Sequence, residues 1–176
     1  MKTFVYLLLL LPFITTAQNS VKTDPWDLFK PFIGKWAGEG GGEPGKGSYV
    51  RSYQFIMNNK FIEVRNQSNY PPSANNPKGE IHEDLGYISY DRSLKTFRLR
   101  QFHIEGFVNE YILDSVSADR KTMTFVTESI ENIPDGWRAK ETYRIPGDNQ
   151  IEETFELAAP GKDFEVYSKA LLIKVK

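Results

Sequence analysis

From Gly34 onward, apolar and polar residues alternate in ten segments of strand length, each bounded by turn-forming residues. The segments are 34–41, 48–57, 60–70, 82–90, 95–104, 107–114, 121–130, 137–145, 150–158 and 163–174. A period of two predicts strands with one wet and one buried face. Ten of them in succession would leave an open sheet with unprotected edges, so the pattern predicts an all-β, ten-stranded antiparallel up-and-down barrel.

One stretch ahead of the strands follows a helical period. Asp24-Pro25-Trp26-Asp27 reads as a helix start, with Asp24 as cap and Pro25 at the first position, and Trp26, Phe29 and Phe32 form its apolar face. This short helix must end between Pro31 and Gly34. The connections at 58–59, 91–94, 115–120 and 146–149 gather at one end of the barrel, and those at 42–47, 71–81, 131–136 and 159–162 at the other. The helix and Trp36 belong to the first end, which they plug; the second end is the expected mouth.

Alternation also selects the inward side chains. Trp137, Ala139, Glu141 and Tyr143 point inward, as do Ile151, Glu153, Phe155 and Leu157, and Phe164, Val166, Ser168, Ala170 and Leu172. Lys174 continues the last row toward the Trp36 ring, a cation–π arrangement. A two-residue Asn58-Asn59 hairpin pairs Tyr53, Phe55 and Met57 with Val64, Ile62 and Lys60, carrying Arg51 and Asn66 inward near the mouth. A four-residue loop at 91–94 sets Asp84 opposite Gln101 and His82 opposite His103. A three-residue loop of Ile104, Glu105 and left-handed Gly106 keeps Asn109, Tyr111 and Leu113 on the inner face.

Composition narrows the partners. Residues 1–17 carry one early cation, Lys2, an apolar run from Phe4 to Ile14 and small residues at the end, which reads as a cleavable signal peptide and predicts a secreted or periplasmic protein. Residues 18–23 form a leader and 24–176 a single domain. The apolar run is too short to span a bilayer, and no cysteine follows it to take a lipid. A formal net charge of −1 argues against nucleic acid, and against membrane insertion or an anionic surface as partner. With no cysteine anywhere, the fold rests on its own core and thiolate chemistry is excluded.

Three stretches carry a family resemblance: Phe32-Ile33-Gly34-Lys35-Trp36-Ala37-Gly38-Glu39-Gly40, Leu85-Gly86-Tyr87-Ile88-Ser89-Tyr90-Asp91, and Trp137 through Ile145. With them the chain resembles the calycin-like barrels, in particular the nitrobindin-like, lipocalin-like secreted bacterial families of unknown function. The resemblance implies a ten-stranded barrel around a ligand. Nitrobindin-like members bind haem through a histidine late in the chain, and here no histidine follows His103. The lipocalin pattern sets an arginine of the last strand against the tryptophan, where this chain offers Lys174.

Three readings of the interior compete. In the first, the barrel binds a small, largely apolar molecule on a floor of Phe55, Phe97, Leu99, Met123, Phe125 and Phe155, with Arg51, Asn66, Asp84, Gln101, Tyr111, Trp137 and Glu141 as its binding residues. Arg51 would suit a carboxylate on that ligand, unless it pairs with Glu141 or Glu153 in a filled core. In the second, His82 and His103 hold haem or a divalent metal; the first reading expects no cofactor. In the third, Glu141 or Asp84 is the acid or base of a small lyase or isomerase, although no nucleophile or phosphate-loop motif is present. The expected state is a monomer or weak homodimer.

Overall fold

The computed structural model describes residues 24–74 and 76–176. The expected signal peptide at 1–17 and leader at 18–23 lie outside the described residues. Ten strands run in chain order: β1 (Gly34–Gly42), β2 (Gly45–Ile56), β3 (Phe61–Tyr70), β4 (Glu80–Asp91), β5 (Thr96–His103), β6 (Val108–Val116), β7 (Thr122–Glu131), β8 (Arg138–Arg144), β9 (Gln150–Ala158) and β10 (Glu165–Lys174). Each pairs antiparallel with its neighbours, and β1 pairs with both β2 and β10, so the barrel closes with no free edge. Among the described residues no helix is long and apolar enough to cross a membrane.

The predicted N-terminal helix is instead two 3-10 turns, Pro25–Leu28 and Lys30–Phe32. Asp24 accepts from the Trp26 amide at 3.1 Å, as a cap should, but Pro31 has no N–H to carry an α-helix past Phe29. The plug survives the change. Leu28, Phe29 and Phe32 are buried. Phe29 meets Phe97 edge-on at 4.7 Å, and Phe32 lies 5.7 Å from Tyr53 and 6.1 Å from Tyr143. Full burial of each such side chain contributes about 1.5–3 kcal/mol. Trp36 completes the seal, its Nε1 donating to the Phe32 carbonyl at 2.7 Å while Lys174 Nζ sits 5.2 Å from its ring centre.

Turns and registers depart from expectation in four places. Met57, Asn58 and Asn59 all take positive φ, so the β2–β3 turn spans four residues and Met57 is exposed rather than inward. The pairs Tyr53 with Val64 and Phe55 with Ile62 hold nonetheless. Asp91 accepts from the amides of Ser93 and Leu94, which places the next loop at 92–95 and pairs Asp84 with His103 and Gly86 with Gln101, two residues from the expected register. At the mouth the β1–β2 connection is tight, with Gly42 paired to Gly45 around Glu43 and Pro44. Finally, a bulge between Val166 and Ser168 puts Tyr167 in the cavity wall and exposes Val166. Phe164 is not inward either; Arg138 and Lys140 lie over its ring at 4.8 and 4.7 Å.

Candidate functional site

Above the plug the interior is hollow. A cavity of about 610 Å³ opens at the mouth end, and Arg51, Asn66, Asp84, Gln101, Trp137 and Glu141 all line it, as do His82 and His103. Tyr111 does not; it is buried, with its hydroxyl accepting from Asn109 Nδ2 at 2.9 Å. Glu153 and Asn109, inward by alternation but unassigned, join the lining with Ser68 and Tyr49. Tyr167 carries no signal in the sequence, because a bulge reverses strand parity and leaves no mark in the alternation.

The floor is polar, not apolar. Of the six residues expected to form a greasy floor, only Phe155 lines the cavity. Phe97, Leu99, Met123 and Phe125 lie one layer deeper in the plugged core, and Phe55 packs edge-on to Trp26 at 5.7 Å. The polar layer comes from the inward positions next along each strand: Arg51 beyond Tyr53, Asn66 beyond Val64, Gln101 beyond Leu99 and Glu141 beyond Tyr143.

Arg51 is committed within this layer. Its Nε donates to Glu153 Oε2 at 3.0 Å, Nη1 donates to the Val50 and Gln67 carbonyls at 3.1 and 3.0 Å, and both Nη atoms lie 3.3 Å from Ser68 Oγ. Burial pulls the guanidinium pKa down, but the Glu153 and Asp84 charges outweigh it and hold the group more basic than usual. A fork so engaged has little left for a ligand carboxylate. The pairing with Glu153 expected for a filled core is present, yet the space above it is open.

Two other groups differ in how they are held. Asp84 Oδ1 accepts from Asn66 Nδ2 at 2.8 Å and from Gln101 Nε2 at 2.7 Å. Burial raises the Asp84 pKa, opposed by Arg51 and these donors. Glu141 receives no hydrogen bond among the described residues, and burial, then Glu153 and Asp84, keeps its carboxyl well above the ordinary range. It therefore favours the protonated form, which can donate. His103 is pushed the other way, to about 3, by burial and by His82, so its ring is neutral.

Around this floor stand apolar walls. Phe155, Leu157, Tyr167, Phe107 and Trp137 reach toward the mouth, the last 38% exposed. Such a mixture of apolar surface and a few oriented polar groups is typical of ligand pockets, and the volume lies within their range of roughly 300–1,000 Å³.

Fold and cavity together define a closed ten-stranded β-barrel suited to holding a ligand. The crystal structure of Rv2717c from M. tuberculosis is similar, with a TM-score of 0.67 and 19% identity over 87% of this chain and 99% of that one, a likeness of fold alone. A protein of unknown function of the DUF3598 family from Nostoc punctiforme covers 87% of this chain and 100% of its own at 8% identity, but its TM-score of 0.28 carries no argument. No family model matches the chain, and neither does any curated protein.

Proposed function

We propose that this is an exported binding protein of calycin-like type that holds a small, largely apolar molecule in its mouth cavity. The observation that carries the reading is the open cavity of about 610 Å³ with Glu141 unpaired in its polar floor. A carboxyl whose raised pKa favours the protonated form, set in the floor beneath walls that include Phe155, Leu157 and Trp137, suits a ligand with an apolar body and a neutral acceptor, such as a carbonyl or hydroxyl, at its buried end. The engaged Arg51 argues against a carboxylate at that end. Export rests on residues 1–17 alone.

Native mass spectrometry of protein purified from its host tests the binding reading. A bound small molecule is expected, and Ser168→Trp, which fills the cavity from its wall, should abolish retention without unfolding the barrel. Retention equal to wild type in Ser168→Trp, or no bound molecule in wild type, overturns it.

A further inference from the structure

His82 and His103 lie on neighbouring strands of the cavity wall. Because Asp84 pairs with His103, His82 stands diagonally from it on the same face, two residues nearer the mouth. His82 Nε2 is 3.3 Å from His103 Nδ1 and 3.8 Å from Asp84 Oδ2, and one ligand atom from each residue lies within 4.8 Å of the other two. Two ligand atoms about 2.1 Å from a tetrahedral ion are about 3.4 Å apart. The geometry points to a binding site for a divalent transition-metal ion of the zinc class, held by His82, Asp84 and His103 with its fourth position open to the cavity.

The surrounding groups orient all three ligands. Asp84 uses Oδ1 for both Asn66 and Gln101, which leaves Oδ2 toward the histidines. His82 Nδ1 is 2.7 Å from Glu105 Oε1, an arrangement that keeps the proton on Nδ1 and the lone pair on Nε2, as in carboxylate–histidine–zinc triads. Asn109 stands behind His103, with Nδ2 3.1 Å from Nε2 and an Oδ1 that has no partner among the described residues. Turning that amide over presents Oδ1 to an Nε2–H and frees the Nδ1 lone pair for the ion. Phe107 stacks on the His103 ring at 4.0 Å and limits its rotation.

The donor set also selects the ion. Two imidazoles and one carboxylate suit Zn²⁺ and its first-row neighbours, whereas Ca²⁺ and Mg²⁺ prefer oxygen alone. Haem does not fit this pair: nitrogens 3.3 Å apart on adjacent strands leave no room for a macrocycle between them, and β6–β10 carry no histidine. A second group, Glu80, His82 and Glu105, shares His82 but lies nearer the rim and contributes only one imidazole.

Untagged protein stripped with a chelator and titrated with ZnCl₂ by calorimetry tests the site, with CoCl₂ absorption reporting geometry. One ion per chain and intense tetrahedral cobalt bands are expected. His103→Ala and Asp84→Asn should each weaken zinc binding by about 100-fold or more, Asn109→Ala by about 10-fold, and Glu80→Gln not at all. Circular dichroism shows whether each variant folds; if Asp84→Asn does not, His103→Ala and His82→Ala carry the test. No stoichiometric binding, or unchanged affinity in a folded His103→Ala, overturns the proposal. Loss of binding in Glu80→Gln overturns it in favour of the rim group.

Discussion

Arg51 and Glu153 meet across the seam of the barrel. Their 3.0 Å contact joins β2 to β9, the two strands that flank the closing pair β1 and β10. Tyr53 donates to the other Glu153 oxygen at 3.2 Å, so both oxygens of the carboxylate are used. The pair is thus placed to fix the closure of the sheet as well as to make the cavity floor.

Removing one partner strands the other. Glu153→Ala leaves a guanidinium buried without its counter-charge and is expected to cost about 3–5 kcal/mol, read as a lower urea midpoint. The double replacement Arg51→Met with Glu153→Leu should recover much of that loss, because it removes the desolvation cost along with the attraction. A double variant no more stable than Glu153→Ala would show that the pair specifies the fold in a way apolar packing cannot.

Glu141 gives the barrel a pH dependence of known sign. Its carboxyl has a raised pKa in the folded protein, so between the ordinary glutamate value of 4.5 and that higher value the folded state holds a proton the unfolded chain has released. Stability from this group is then greatest at acid pH and falls as pH rises through that window. Glu153 on β9 and Asp84 on β4 add to the effect, and Arg51 on β2 opposes it. Glu141→Gln should raise the unfolding midpoint at neutral pH and flatten its decline as pH rises above 4.5. An unchanged slope would mean that Glu141 is ionised in the folded state.

The sequence was a better guide to faces than to registers. A two-residue slip between β4 and β5 moved His82 and His103 out of direct opposition, yet parity kept both on the inner face and a diagonal contact replaced the expected one. The bulge at Tyr167 was illegible because it breaks the period of two on which the reading depends. The polar floor is half legible: alternation sends Arg51, Glu141 and Glu153 inward, but it does not encode depth along the barrel, and Phe97 and Phe125, inward by the same rule, lie beneath the cavity rather than in it. Pro31 marks where the N-terminal helix must stop, but the helical spacing of Trp26, Phe29 and Phe32 does not distinguish a short α-helix from the two 3-10 turns that form.

At the plugged end two interactions hold Trp36, and they differ in strength. Trp36→Phe keeps an aromatic face for Lys174 but leaves the Phe32 carbonyl without its indole donor, with an expected cost of about 1–3 kcal/mol. Lys174→Met loses only the cation over the ring, about 0.5–1 kcal/mol. Denaturation curves in which Lys174→Met proves the more damaging would reverse this order and make the cation the principal anchor.

The glycines of β1 hold the other half of the seam. At Gly40 an added Cβ would lie 2.1 Å from the Lys169 carbonyl oxygen, 2.8 Å from Ala170 Cα and 2.9 Å from the Tyr49 ring, so backbone on β10 and a cavity-wall aromatic would both have to move. The Tyr49 ring in turn sits 5.1 Å from the Arg51 guanidinium and its hydroxyl 3.0 Å from that of Tyr70, which extends the disturbance into the cavity. Gly40→Ala is therefore expected to destabilise by at least about 2 kcal/mol and to speed amide exchange along β1 and β10 ahead of the other strands. Gly147→Ala is the matched control, since its nearest neighbour is the Gln150 side chain at 3.9 Å and its φ is not positive. It should leave both stability and exchange within about 0.5 kcal/mol of wild type, and equal losses at the two positions would show that glycine content, rather than the close approach of β10 to β1, is what the seam requires.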